Sequence, residues 1–154
     1  MVLEENIEEE KELESIIEGF KEYLLKKNLS EKTLNNHVEN INFFGFEYLL
    51  AYEHGSILEV SSIDILDFVG HWYIRKVLSS NKRGISSFLT SFKKFYKYLN
   101  EKDLIDDVIL EEIMETCKDK LHFYNRFDEY MELPSDNYGS EKFEKAWENW
   151  FMSY

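Results

Sequence analysis

Between Lys82 and Leu99 the apolar residues Ile85, Phe88, Leu89, Phe92, Phe95, Tyr96 and Leu99 recur at the i, i+3, i+4, i+7 spacing of one helical face. Arg83, Ser87, Thr90, Lys94 and Lys97 take the opposite face. A strand would alternate every second residue, so this run can bury its apolar groups together only as a helix packed against other elements. The same period recurs upstream. Leu13, Ile16, Ile17, Phe20 and Leu24 mark a first helix over 8–27, broken at Asn28-Leu29. Ser30, a good N-cap with Glu31 in the first turn, opens a second helix carrying Leu34, Val38, Ile41, Tyr48 and Tyr52 on one side. Phe43, Phe44, Phe46, Leu49 and Leu50 make its second half apolar nearly all round, which predicts a central position, and His54-Gly55-Ser56 ends it. Ser61 or Ser62 caps a third helix with Ile63, Leu66, Val69, Tyr73 and Val77 on one face.

Turn residues support helices. The chain has one proline and six glycines in 154 residues, whereas a sandwich or barrel needs a turn every eight to twelve residues, roughly. Downstream, Asp106 or Asp107 is expected to cap a fifth helix whose Ile109, Ile113, Cys117, Leu121, Tyr124 and Met131 pack inward. Pro134 and Gly139 bracket a loop, and Ser140 caps a last helix with Phe143, Ala146, Trp147, Trp150, Phe151 and Tyr154 in a wide stripe. The expected fold is all-α, a bundle of four core helices with one or two additional C-terminal helices. Leu34, Ile41, Leu66, Val69, Phe88, Phe92, Phe95 and Leu99 are its predicted core.

The formal charge of -13 is unevenly spread. Residues 1–14 carry a net -6, residues 15–100 a net +2 and residues 101–154 a net -9. We therefore divide the chain into an acidic N-terminal segment (1–14), a helical domain (15–105) and an acidic helical C-terminal extension (106–154). The mildly basic middle is a weak electrostatic footprint for nucleic acid, because phosphate contacts supply most of such affinity. Cys117 is the sole cysteine, which excludes an internal disulfide and a multi-cysteine zinc site. The acidic N-terminus is unlike a signal peptide, and no apolar run approaches the roughly 18 residues of a membrane span. These features predict a cytoplasmic protein with no membrane partner.

Constellations for catalysis are sparse. Glu115, Asp119 and His122 could share one helix edge, but di-metal bundles need Glu-x-x-His motifs on two helices, and a surface cluster is the expected reading. No serine or cysteine stands in a nucleophile context, so neither catalytic residues nor a cofactor is expected. Cys117 reads as a packed small hydrophobe. The Arg83–Lys97 face reads either as a phosphate-binding surface or as an ordinary solvated face. The stripe holding Trp147, Trp150 and Phe151 reads either as a helix folded back on the core, which we favour, or as one that docks into a partner.

Two segments carry a family resemblance. They are Leu29-Ser-Glu-Lys-Thr-Leu-Asn-Asn-His-Val-Glu-Asn-Ile-Asn-Phe-Phe44 and Phe88-Leu-Thr-Ser-Phe-Lys-Lys-Phe-Tyr-Lys-Tyr-Leu99, with the acidic start Ile63-Asp64-Ile65-Leu66-Asp67-Phe68 between them. Together, over roughly Ile16 to Ile105, they resemble the N-terminal core-binding (SAM-like) domain of tyrosine recombinases, the phage integrases. That resemblance implies a helical bundle that clamps one side of a DNA duplex through bases on its second and fourth helices. The positions it points to are Lys32, Lys82, Arg83, Thr90, Lys93, Lys94 and Lys97. It also implies that the chemistry lies in a separate catalytic domain. Only 49 residues follow Ile105, there are three arginines and there is no His-x-x-Arg, so no enzyme is expected. The chain departs from the family at His37-Val38-Glu39-Asn40, where an aromatic residue and arginines are usual, and at Ser87, where an arginine is common. The expected role is a non-catalytic DNA-associated module, acting on recombination or integration. Its implied partners are double-stranded DNA, bound weakly and non-specifically, and a recombinase or other protein. The alternative is a protein-interaction module that uses the acidic flanks and the C-terminal aromatic helix and binds no DNA.

Overall fold

Helix starts follow side-chain chemistry closely. In a computed structural model the described residues are 2–53, 55–136 and 138–154, with side chains from Ile7 onward except that of Glu53. Helix α1 spans Val2–Leu25, and Asn28 then adopts the left-handed region (φ 56°) that asparagine tolerates after a helix end. Helix α2 spans Glu31–Asn42, with Ser30 Oγ accepting the Thr33 N–H at 3.1 Å. It continues as a π-helical stretch, Phe43–Glu53. His54, expected among the residues that end it, lies outside the described residues. Helix α3 spans Ser62–Asp67 and runs through a π-helical turn, Phe68–Trp72, into α4, Tyr73–Lys76. Its start is fixed by the Ser61 N–H donating to Asp64 Oδ2 at 2.8 Å. Helix α5 spans Lys82–Glu101, α6 Asp107–Lys118, α7 Lys120–Met131 and α8 Glu141–Met152. Asn81, Asp106 and Ser140 accept the first-turn N–H groups of α5, α6 and α8. The fold is all-α, with no strand among the described residues. No described helix is long and apolar enough to cross a membrane.

The core lies where the π stretch after α2, the α3–α4 rod and α5 cross. Phe92 meets Phe44 edge-on at 4.7 Å between ring centroids, and Phe68 meets Phe44 at 4.9 Å and Phe88 at 5.0 Å. Seven of the eight expected core residues are buried; Leu66 is half-buried at its rim. The third segment also departs from its predicted stripe. Ile63 is 65% exposed, while every residue from Phe68 to Ile74 is buried. A π turn holds more residues than an α turn, and Phe68–Trp72 packs against both α5 and α7, so no single stripe describes it.

The expected fifth helix is two helices. Asp119 leaves the helical region (φ -84°, ψ 64°) and its carboxylate accepts the His122 N–H at 3.3 Å, starting α7 in a new phase. Leu121 and Met131, predicted to pack, are therefore 66% and 56% exposed. Phe123 and Arg126 point inward in their place. Ile113, Cys117, Phe123 and Trp150 all join the same buried cluster as the upstream helices. Burial pushes the Cys117 thiol up to about 12, consistent with an inert packed side chain.

Candidate nucleic-acid interface

Because α5 turns its apolar residues to the core, its cations must occupy the remaining arc. Arg83 and Lys97 are exposed there, and Thr90, Lys93 and Lys94 are half-buried. Two walls flank the arc. On one edge, polar side chains staple α2 to α5. Asn36 Nδ2 donates to Ser87 Oγ at 2.8 Å, and Asn40 Nδ2 donates to Ser87 Oγ and Ser91 Oγ, each at 2.9 Å. His37 Nδ1 lies 2.7 Å from Ser91 Oγ. On the other edge stands α7. Its Asp128 Oδ2 accepts from Lys82 Nζ at 2.8 Å, and the Tyr124 ring centroid lies 5.7 Å from the same ammonium. Between the walls runs an open groove of about 520 Å³ lined by Asn36, His37, Lys82, Arg83, Ser86, Ser87, Thr90 and Tyr124.

The groove gathers only part of the expected set. Lys82, Arg83 and Thr90 line it, whereas Lys32 is exposed in the first turn of α2 outside its lining. Lys93 faces α6, where its charge acts on Cys117. Lys94 sits on the α2 side, where its charge acts on His37. The Thr90 hydroxyl donates to the Ser86 carbonyl at 3.0 Å, so its hydrogen is committed within the helix and does not face a phosphate. Burial, reinforced by Lys94, holds His37 below the usual histidine range, so at neutral pH it adds no charge to the groove.

Sequence reasoning overlooked the staple. His37 and Asn40 counted there only as lost positive charge, yet they join α2 to α5. A signal existed: Asn36 and Asn40, like Ser87 and Ser91, are spaced i, i+4, so each pair shares a helix edge. The contribution of Asp128 had no such signal, since it lies 46 residues from Lys82.

The C-terminal aromatic residues do not form one docking face. Trp150 is only 4% exposed; its Nε1 donates to the Arg126 carbonyl at 2.9 Å and its ring lies 4.0 Å from the Arg126 guanidinium. The helix folds back because Arg126 and the rod supply both polar and apolar partners for it. Trp147 is half-buried, with Nε1 donating to the Pro134 carbonyl at 3.1 Å, and Phe151 is 46% exposed. The cavity between α1 and the π stretch, lined by Leu13, Ile16, Gly45, Leu49 and Ile57, holds about 60 Å³. That is well below the roughly 300 Å³ at which small-molecule sites begin.

The groove and its flanking α2 wall fall within a recognisable unit. The profile of the phage integrase N-terminal SAM-like domain matches residues 17–103, from within α1 to just past α5. No solved structure matches the chain. The α2–α5 pairing, the rod and the basic arc all lie inside the matched span, and only the α7 wall lies outside it. With more than half of the 154 residues matched, the chain belongs to the phage integrase N-terminal SAM-like domain family.

Proposed function

We propose that this chain is a non-catalytic, duplex-DNA-associated domain that modulates recombination or integration. One observation carries the reading: within a domain of the integrase family, the α5 arc and its α2 staple form an open groove bearing Lys82 and Arg83. An open, cation-lined groove suits a phosphodiester backbone better than a small molecule. Arg83 offers a fork of donors to phosphate oxygens, and Lys94, Lys97 and Lys32 extend the positive track. The acidic flanks repel duplex elsewhere and orient it onto this face. Contacts from these cations to phosphate position a duplex without reading its sequence. Binding is therefore weak, non-specific and steeply salt-dependent. With three or four phosphates neutralised, the log–log slope of affinity against salt is about -2.7 to -3.6. The test is titration of a labelled duplex at low and moderate salt, with the Arg83→Glu/Lys94→Glu double variant beside the parent chain. The expected result is salt-sensitive binding that the double reversal abolishes while far-UV circular dichroism stays unchanged. Unchanged affinity in the double variant, or no binding at low salt, would refute the reading.

A further inference from the structure

The second wall of the groove sets a carboxylate against one of the groove's cations. Tyr124 and Asp128 lie four residues apart on α7, so they share one helix edge, and both face Lys82. The opposite edge of α7 is anchored. Phe123 is fully buried, and Arg126 Nε donates to the Gly70 carbonyl at 3.0 Å while its Nη1 donates to the Trp150 carbonyl at 2.8 Å. So α7 cannot swing aside without breaking the core, and Asp128 stays beside Lys82 in the folded chain. The ion pair itself is loose. Its side chains are 44% and 52% exposed, and exposed pairs of this kind are weak. A phosphate can therefore displace the carboxylate, but displacement leaves Asp128 uncompensated at the groove's edge.

From this arrangement we propose that Asp128 is a built-in competitor for duplex phosphate at Lys82, and that α7 thereby lowers the affinity of the groove. The proposal rests on the reading that the α5 groove binds duplex DNA. It concerns a helix outside the matched family span. When Lys82 engages a phosphate its pairing with Asp128 is lost, which offsets part of the gain at this contact, and removing the carboxylate returns that part.

The experiment compares a labelled duplex titrated with the parent chain, Asp128→Asn, Lys82→Ala, the Asp128→Asn/Lys82→Ala pair and Glu148→Gln. The last removes an exposed acid of α8 as a control for net charge. Asp128→Asn is expected to tighten binding about two- to five-fold at low salt, the range of an exposed ion pair. The gain should vanish when Lys82 is also removed, and Glu148→Gln should not reproduce it. Because residue 128 is on the surface, circular dichroism and urea midpoints should not move. If the parent chain binds duplex and Asp128→Asn does not tighten it, the competitor role is overturned while duplex binding stands. The competitor role is overturned equally if the gain survives without Lys82 or matches that of Glu148→Gln. If the parent chain does not bind duplex at low salt, duplex binding itself fails and this proposal falls with it.

Discussion

Phe92 shows how much one side chain can carry. It is fully buried and contacts the rings of Phe44, Phe68, Phe88 and Tyr96, which come from three different segments. Phe92→Ala is expected to destabilise the chain by about 3–5 kcal/mol, read as a fall in the urea midpoint; a cost near zero would show that the crossing is not the core. His71 makes the opposite kind of contribution. It is 2% exposed; its Nδ1 accepts from Arg75 Nε at 3.0 Å and its Nε2–H donates to the Phe151 carbonyl at 3.0 Å. Burial, then the Arg75 charge, lowers its pKa, against a smaller opposing pull from the Phe151 carbonyl and Asp67. The folded chain thus binds fewer protons at this site than the unfolded chain, whose histidine titrates near pH 6.5, roughly. Stability is fully present above that pH and is lost as pH falls toward the lower folded value. His37 has the same sign. Urea midpoints should fall between about pH 7 and pH 5, and His71→Gln should flatten that fall relative to the parent chain. An equally steep fall in the variant would sink the assignment.

Among the elements, α7 holds the C-terminal region together. Arg126 bonds the rod through Gly70 and α8 through Trp150, and its Nη1 also donates to Ser153 Oγ at 2.8 Å. Arg126→Gln should cost on the order of 1.5–3 kcal/mol, the range for hydrogen bonds to a charged group. It should also loosen the seat of Trp150, seen as red-shifted tryptophan emission under native conditions. Emission and midpoint both unchanged would show that α8 is held by other contacts. The element boundaries follow the same physics. Ser30, Asp106 and Ser140 were legible as caps because a cap bonds its own first turn, within three residues. The break at Asp119 was not legible, since the apolar period runs through it in sequence and only packing decides where a long helix divides.

At the scale of the whole molecule, charge and fold act on different terms. The helices close on an aromatic core regardless of net charge, while the -13 total decides what can approach. If the groove is the contact surface, its affinity comes from a few cations working against a large opposing field. We therefore expect supercoiled plasmid incubated with the purified chain to remain supercoiled on an agarose gel. Strand cleavage or joining that a point substitution in the chain removes would overturn the non-catalytic reading.

What the sequence determined by itself is the all-α class, most helix starts, the α5 stripe and the family. All of these rest on interactions within about one helical turn, or on motifs a few residues long, so they are written locally. Tertiary structure alone decided which cations share a groove, that Arg126 seats Trp150 and that Asp128 reaches Lys82. Those contacts join residues 24 to 46 positions apart. Their energy exists only once the helices are docked, and no local pattern encodes it.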